Sequence, residues 1–598
     1  MNSNKRRRSR NLKCSNPEVS ILKGIPASPG IAIGHAHILD LERMSVKEID
    51  IEESRVEVEV KRFEKAVAKT KKDFASIQRK IANQLGEEKA RIFDAHLLML
   101  EDTMAIDETV DRIKKQKKNA EFIFFQNLEN VRKTLLDTGD EYLRERAVDL
   151  QDVERRVLRN LAGDGQESFD RPEGQSIVLA KFLTPSDTAQ LDRNKVLGFV
   201  TDLGGRTSHA AIMARSLEIP AVVGLKEVTQ KVCPGDLLVI DGVHGIVIVN
   251  PDERTLLEYE EKQKLFIEHD LELLSLRDEP AATLDGRSIE LQANIELPDE
   301  VETALSHGAR GIGLFRTEYL YLARSDLPSE SEQYEAYASV AERMNPDPVV
   351  IRTLDLGGDK FVSGLNIAPE PNPYLGWRAI RICLERKDIF KMQLRAILKA
   401  SIHGNIRIMF PMISGLGELQ EVKKFYYEVQ QELREDGIPF NEDCHIGVMI
   451  EVPAAALVAR ELSQEVDFFS IGTNDLIQYT IAVDRGNEKI AYLFNHFHPA
   501  VLKFIQMIIT AGKERGIWTG LCGEMAGDPL CVWLLLGMGL DEFSMSPIAL
   551  PEAKRLIRTI TYKEALEIAN EALSFTKAKD VEDFLRKQLH ERLGEIPL

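Results

Sequence analysis

The feature that most constrains the fold of this sequence is an alternation in its C-terminal half. From about residue 279 onward, eight β-like runs alternate with helical stretches. The runs are 289–296, 309–318, 348–358, 406–413, 445–453, 466–475, 518–525 and 541–547. Eight βα units in about 300 residues is the number and size found in a (β/α)8 (TIM) barrel, so we predict a C-terminal barrel.

The N-terminal half predicts a multidomain α/β protein. Residues 51–161 contain no proline and have apolar residues at helical spacing, whereas the flanking 21–40 and 170–252 are rich in β-like runs and turn residues. We expect the following units: a disordered basic tail (1–20), an α/β domain (21–47 and 163–252), an inserted helical bundle (48–162), a linker helix (253–278), the barrel (279–575) and a C-terminal helix (576–598).

Composition excludes several classes of function. The 598 residues carry a formal net charge of −19, which argues against broad nucleic-acid binding. The longest apolar run, 530–540, is shorter than the ~20 residues that span a bilayer, so we expect no membrane insertion. Six scattered cysteines without a C-x-x-C pair favour free thiols in the reducing cytoplasm.

One histidine lies at a predicted helix start. His209 follows two glycines at 204–205 and a candidate N-cap, Thr207 or Ser208, and precedes a helical pattern at 210–217. A helix N-terminus disfavours an imidazolium and favours a bound phosphoryl group. The context predicts a neutral, nucleophilic histidine that accepts phosphate, with a structural or capping histidine as the alternative.

Polar residues also collect where the predicted barrel strands end. TIM barrels place active sites on that face. The candidates are Arg316, Arg352, Glu451, Asn474, Asp475, Arg485 and Cys522. Arg378, in the segment NPYLGWRAIRI (372–382), is a further candidate. Arginines bind phosphate and carboxylate groups, and Glu451 with Asp475 suits Mg²⁺. We therefore expect a locally basic, metal-bearing site for an anionic substrate.

Each candidate also has a simpler interpretation. Arg316 and Glu318 could form a surface pair, Glu451 could cap a helix, Arg378 could lie on a helix surface and Cys522 could be a core residue. Their joint position at strand ends favours the site over these separate interpretations.

Three motifs carry a family resemblance. GGRTSHAAIMARSLEIPAVVG (204–224) resembles a phosphohistidine signature, and IGTNDLIQYTIAVDRGN (471–487) with GLCGEMAGDP (520–529) resembles a second signature. Their order and the helical insertion resemble the enzymes I of bacterial sugar phosphotransferase systems over about residues 21–575. The resemblance implies a swivelling phosphohistidine α/β domain that carries a helical bundle, followed by a barrel that binds phosphoenolpyruvate.

The resemblance also implies roles for single residues. His209 would attack phosphorus through Nε2, with Thr188 hydrogen-bonded to it. Glu451 and Asp475 would bind Mg²⁺, and Cys522 would protonate the enolate to give pyruvate. The substrate clamp would comprise Arg316, Arg352 and Arg485, with Asn474 and Arg378 beside them.

The implied partners are proteins. The phosphoryl group would pass to a histidine of a small phosphocarrier protein bound on residues 48–162, as the first step of sugar uptake. The enzyme would form a homodimer through the barrel. The chain departs from the family pattern in its basic leader of about seventeen residues and in NHFHPAVL (495–502).

Three other functions are weighed against this one. A pyruvate dikinase or phosphoenolpyruvate synthase needs a large nucleotide-binding domain before the histidine domain, and the first 180 residues leave no room for it. A non-catalytic regulatory protein would not need intact His209, Glu451, Asp475 and Cys522. A nitrogen-branch paralogue would usually carry an N-terminal sensor domain, which a short basic leader is not.

Overall fold

In the computed structural model the chain forms two units, divided between His269 and Asp270. The structure describes residues 19–594 apart from 40–45, 86–91, 102, 138–140, 163–173, 185–186, 188–194, 206–210, 212–213, 215–218, 323–325, 358–369, 371, 486 and 488. Most of the predicted basic tail therefore lies outside the described residues, and the predicted domain boundaries stay a prediction.

The first unit contains an eight-stranded sheet. Its strands are β1 (Ser20–Lys23), β2 (Ile25–Ser28), β3 (Ile31–Ile38), β4 (Ser176–Ala180), β5 (Val196–Thr201), β6 (Ala221–Val223), β7 (Leu237–Asp241) and β8 (Ile246–Val249). They pair in the order β1-β8-β7-β3-β4-β5-β6-β2, with β3 to β6 parallel. Ile177 and Leu179 pack in one apolar cluster, whereas Val178 and Ala180 pack in another. Because side chains alternate along a strand, both faces of the sheet are covered.

Helices occupy the chain between β3 and β4. They are α1 (Val56–Leu85), α2 (Ile92–Glu101), α3 (Thr103–Gln116), α4 (Ala120–Asp137) and α5 (Glu141–Ala162). Phe63, Phe74, Phe93, Ile123 and Val157 form the centre of their shared core. The helical periodicity predicted for this stretch is confirmed, because the apolar positions of α1 face that core.

Two further helices are described in full in this half. A short helix, α6 (Val228–Lys231), precedes β7, and α7 (Glu253–Ser275) begins soon after β8. Tyr259 of α7 packs against Val239 and Ile248, and Gln263 Nε2 donates to the Ile31 carbonyl at 2.9 Å. The first half of α7 is therefore tied to the sheet, and the division between the units falls within this helix.

The second unit contains a closed barrel of eight parallel strands. They are β9 (Glu290–Ile295), β10 (Ile312–Arg316), β11 (Pro348–Arg352), β12 (Asn405–Phe410), β13 (Ile446–Ile450), β14 (Phe468–Ile471), β15 (Trp518–Leu521) and β16 (Glu542–Met545). Each strand pairs with the next along the chain, and β16 closes on β9. Every strand lies within its predicted run or, at β12, begins one residue earlier, so the barrel prediction is confirmed.

Helices connect and follow the barrel strands. They are α8 (Glu300–Ser306), α9 (Tyr319–Leu322), α10 (Glu330–Met344), α11 (Ile380–Glu385), α12 (Lys387–Ala400), α13 (Leu416–Glu435), α14 (Pro453–Leu457), α15 (Ala459–Leu462), α16 (Thr473–Ile481), α17 (Pro499–Arg515), α18 (Pro529–Met538), α19 (Leu550–Arg558), α20 (Tyr562–Ser574) and α21 (Ala578–Leu593). Inside the barrel, Leu314, Val350, Met409, Met449 and Phe468 form a core of their own. These side chains fill the interior of the barrel, as is usual for this fold.

The cysteines depart from expectation at one position. Cys383, Cys444, Cys522 and Cys531 are free and buried, whereas Cys233 is disulfide-bonded. The expectation of free thiols is therefore wrong for Cys233. Within the described residues, no helix has the length and apolar character needed to cross a membrane.

Candidate active site

A cavity of about 360 Å³ lies at the carboxyl ends of the barrel strands. Eight of the predicted site residues line it, namely Arg316, Arg352, Arg378, Glu451, Asn474, Asp475, Arg485 and Cys522. The structure thus brings together every predicted residue of the barrel. His209 and Thr188 lie outside the described residues, so their predicted roles stay predictions.

The strand ends deliver four of these side chains. Arg316 and Arg352 are the last residues of β10 and β11, and Glu451 and Cys522 directly follow β13 and β15. Parallel strands in a barrel end on one face, so these chain-distant residues converge.

Asn474 and Asp475 reach the cavity differently from the prediction, which placed them at the end of a strand. The sixth strand, β14, ends at Ile471, and both residues lie in the first turn of α16. Gly472 connects the end of β14 to the start of α16, and a Cβ at this position would lie 2.8 Å from Glu451 Oε2. The absence of a side chain there lets the strand-to-helix turn pass close to the Glu451 carboxylate.

Arg378 is held by an unusual backbone. It precedes Ala379, which has a φ of 52° at the start of α11. Gly357 has a φ of +109°, and a Cβ on it would lie 2.6 Å from Arg378 Cβ. Arg378 is only 6% exposed, so the alternative of a helix-surface arginine is wrong. Such backbone strain persists where the surroundings fix it, as at functional sites.

Asp355 links two of the arginines. Its Oδ2 lies 3.0 Å from Arg352 Nη1, and its Oδ1 lies 2.9 Å from Arg378 Nη2. Arg378 Nη2 also contacts Asp475 Oδ2 at 3.0 Å, and Arg352 pairs with the buried Glu318. The paired carboxylates fix the direction of both guanidinium groups.

The remaining polar contacts lie nearer the solvent. Arg316 Nη1 contacts Glu296 Oε1 at 2.6 Å, so the predicted alternative of an Arg316–Glu318 surface pair is wrong. Asn474 Nδ2 lies 3.4 Å from Glu524 Oε1. Arg485 follows α16 and is exposed, which leaves its guanidinium accessible at the mouth of the cavity.

Glu451 is fully enclosed by the site. Its Oε1 accepts a 2.6 Å hydrogen bond from the backbone N–H of Met412, whose φ of 57° is left-handed. Burial, with the nearby charges of Asp475 and Asp355, raises the pKa of Glu451 to about 8 against the opposing effect of Arg352 and Arg378. A proton or a cation must therefore balance this carboxyl group near neutral pH.

Glu451 and Asp475 fit a divalent metal ion. The Asp475 Oδ1 atom is buried and has no hydrogen-bond partner among the described residues. Glu451 Oε2 faces Gly472, where no side chain intervenes. Two carboxylates that lack full protein hydrogen bonding are the ligands that Mg²⁺ takes together with substrate oxygens.

Cys522 faces the cavity as a protonated thiol. It is 3% exposed, and its Sγ lies 3.7 Å from the Ile471 carbonyl oxygen. Burial raises the pKa of the Cys522 thiol to about 11, although the Ser470 hydroxyl and the charge of Arg352 oppose the rise. At neutral pH the thiol keeps its proton and can donate it to a reacting carbon.

The charge of the lining differs from the expected basic site. Arg316, Arg352, Arg378 and Arg485 are accompanied by six carboxyl groups: Glu296, Glu318, Asp355, Glu451, Asp475 and Glu524. The expectation of a locally basic site is therefore wrong for the protein groups alone. Four of these acids, Glu296, Glu318, Asp355 and Glu524, were not predicted as site residues, although Glu296 ends the first predicted run and Asp355 lies within the third.

Comparisons with known proteins agree with this architecture. Three families match: "PEP-utilising enzyme, N-terminal" over residues 23–146, "PEP-utilising enzyme, mobile domain" over 172–245 and "PEP-utilising enzyme, PEP-binding domain" over 271–562, where PEP is phosphoenolpyruvate.

Curated relatives match nearly the whole chain. A phosphoenolpyruvate-protein phosphotransferase of Bacillus sp. (strain S) is 46% identical over 95% of this chain and 98% of its own length. Those of Listeria monocytogenes and Bacillus subtilis are each 45% identical over 95% of this chain and 99% of their own. A solved structure titled Enzyme I (nEIt) is 46% identical, covers 41% of this chain and 99% of that one, and has a TM-score of 0.36.

Proposed function

The chain belongs to the phosphoenolpyruvate–protein phosphotransferases, within the phosphoenolpyruvate-utilising enzymes, and from that premise we propose which residues carry its reaction. It is a transferase that moves the phosphoryl group of phosphoenolpyruvate to a protein acceptor. The cavity of the barrel unit is the observation that supports the assignment of residues, because it collects arginines, two metal-type carboxylates and one protonated thiol.

The arginines bind the substrate anion in this proposal. Arg352 and Arg378 are oriented by Asp355, and Arg316 and Arg485 lie closer to the mouth. Such a set suits the phosphate and the carboxylate of phosphoenolpyruvate, because guanidinium groups donate paired hydrogen bonds to both. Asn474 assists from the first turn of α16.

Enzymes of this family depend on a metal ion, and we propose Mg²⁺ at Glu451 and Asp475. When bound, the ion supplies positive charge that neutralises substrate oxygens and keeps Glu451 ionised. The orphaned Asp475 Oδ1 supports this assignment.

The proposed first step uses two residues of the chain. His209 Nε2 attacks phosphorus, with Thr188 hydrogen-bonded to the histidine, the bond between phosphorus and the enol oxygen breaks, and the enolate of pyruvate leaves. Cys522 then donates its thiol proton to the methylene carbon, which gives pyruvate. The raised pKa of Cys522 supports this role, because an acid must hold its proton until the enolate forms.

The second step transfers the phosphoryl group to a histidine of a small phosphocarrier protein, which we propose binds the helical residues 48–162. We also propose a homodimer through the barrel unit, where Leu457 and Tyr492 are 64% and 79% exposed. Large exposed apolar side chains are common at such interfaces. The proposed setting is the cytoplasm, as the first step of sugar uptake.

Radiolabelled phosphoenolpyruvate tests the proposal. With Mg²⁺, wild-type protein should acquire label that is lost in acid and stable in base, and His209→Ala should acquire none. His307→Ala, a histidine in the barrel unit, is the matched control and should label normally. Undiminished label in His209→Ala would overturn the assignment of the nucleophile.

A further inference from the structure

A second group of metal-binding side chains lies outside the cavity. His496, Asp528 and Cys531 offer one nitrogen, one oxygen and one sulfur atom, and these atoms all lie within 4.8 Å of one another. His496 lies between α16 and α17, in the segment 495–502 where the sequence departs from the family. Asp528 caps α18, and Cys531 lies in the first turn of that helix.

The contacts of these residues are incomplete. His496 Nε2 is buried and lies 3.0 Å from Asp528 Oδ2, yet it makes no hydrogen bond with that oxygen or with any other described residue. Cys531 is fully buried, and its thiol is not in a disulfide. The ring nitrogen and the carboxylate oxygen therefore lie close enough to bind the same metal ion.

The types of these three ligand atoms indicate which metal ion would bind. Zinc binds histidine nitrogen, carboxylate oxygen and thiolate sulfur at about 2.0–2.3 Å, so neighbouring ligand atoms lie roughly 3.3–3.7 Å apart. Magnesium and calcium prefer oxygen alone. The side chains of His496 and Asp528 are 28% and 27% exposed, so water can reach a fourth position.

We propose that His496, Asp528 and Cys531 bind one divalent ion of the zinc class. The ion replaces the thiol proton of Cys531, so binding releases one proton and forms one sulfur–metal bond. The ion joins the segment before α17 to the start of α18. That start directly follows the loop of Cys522 and Glu524, so binding stiffens one wall of the cavity.

Cobalt titration of the metal-stripped full chain, with the disulfide of Cys233 left intact, tests the proposal. Cobalt(II) should give one equivalent of thiolate-to-metal charge-transfer absorption, with one proton released, and zinc should displace it. Cys531→Ala should abolish the band. His496→Gln should weaken cobalt binding by at least about 100-fold, because each ligand carries a large share of the affinity of a zinc site.

Two controls separate this site from other thiols. Cys522→Ala should keep the band, although its thiol lies near the proposed Mg²⁺ ligands, and Cys444→Ala should keep it as the matched buried cysteine. If circular dichroism shows that Cys531→Ala is unfolded, cobalt binding by His496→Gln tests the proposal instead. The His496 side chain is partly exposed, so this substitution should leave the fold intact. Absence of the band in wild type, its survival in Cys531→Ala or unchanged affinity in His496→Gln overturns the proposal.

Discussion

The stability of the barrel should depend on the protonation of Glu542, the first residue of β16. This carboxyl group is buried and accepts a hydrogen bond from Trp518 Nε1 at 3.2 Å. Burial and the charge of Glu290 raise the pKa of Glu542 to about 8, while Arg407 opposes the rise. The folded barrel therefore holds this group protonated at neutral pH.

The size of the effect follows from the two pKa values. The pKa of Glu542 is raised from the ordinary 4.5 to about 8 in the folded protein. Between those values only the folded state binds the proton, so its stabilising contribution falls as pH rises. Each pH unit in this window is worth about 1.4 kcal/mol, and the loss from pH 6 to pH 9 comes to about 3 kcal/mol.

Tryptophan fluorescence can follow this unit alone. All three tryptophans of the chain, Trp377, Trp518 and Trp533, lie in the barrel unit. Urea unfolding of wild type and Glu542→Gln should be compared at several values between pH 6 and pH 9. The advantage of wild type over the variant should shrink by about 3 kcal/mol across this range, because other titrating groups cancel in the difference.

A second variant tests the cause. Glu290→Gln removes the neighbouring charge that raises the pKa of Glu542, so the pH window should move to lower values. Parallel pH profiles for wild type and Glu542→Gln would refute the reasoning, since they would mean that Glu542 binds its proton equally in both states.

Three other substitutions probe the cavity. Cys522→Ala should slow pyruvate formation by about 10²–10⁴-fold with the fold retained, because a positioned acid contributes that much, and product assays measure it. Asp355→Asn should lower the free energy of unfolding by about 3–5 kcal/mol, as measured by urea unfolding, because buried Arg352 and Arg378 lose a charged partner. Arg378→Lys should raise the KM for phosphoenolpyruvate about 10–100-fold in steady-state kinetics. The ammonium group of lysine cannot make the paired hydrogen bonds of a planar guanidinium.

Each of these has a matched control. Cys444→Ala alters another buried thiol and should leave pyruvate formation unchanged. Asp541→Asn removes a partly exposed partner of Arg287 at 3.4 Å and should cost less than about 1 kcal/mol. Arg386→Lys alters an arginine paired with the exposed Asp388 and should leave KM unchanged. Wild-type behaviour in Cys522→Ala, Asp355→Asn or Arg378→Lys would contradict the corresponding argument.

The barrel was predictable because its strands are short, continuous apolar runs. Val349, Val350 and Ile351 of β11 are all buried, which is the pattern of a strand covered on both faces. The end of β14 was not predictable from its residues. Residues 468–475 contain no proline and no charged residue before Asp475, so the residue types do not mark a helix that begins directly after Gly472.

The partners of the arginines could not be predicted, because they depend on how the barrel closes. Glu296 follows β9 and Arg316 ends β10, so their pairing requires the register between these neighbouring strands. Asp355 meets Arg378, which lies 23 positions later in the chain, and Arg378 also contacts Asp475 from α16. A pattern of residue types predicts which face such groups occupy, whereas a single contact depends on loop conformation.

The pairing of the cavity arginines with carboxylates changes how the cavity can bind an anion. Its four arginines face six carboxyl groups, so the protein groups alone do not offset a substrate with a phosphate and a carboxylate. Glu451, with its pKa raised to about 8, can take a proton when no cation is near and give it up to one. Metal and substrate should therefore bind together, because each supplies charge that the other needs in a buried site. The carboxyl groups keep the arginines oriented before the substrate binds. The bound cation adds the positive charge that lets the same cavity attract the anionic substrate.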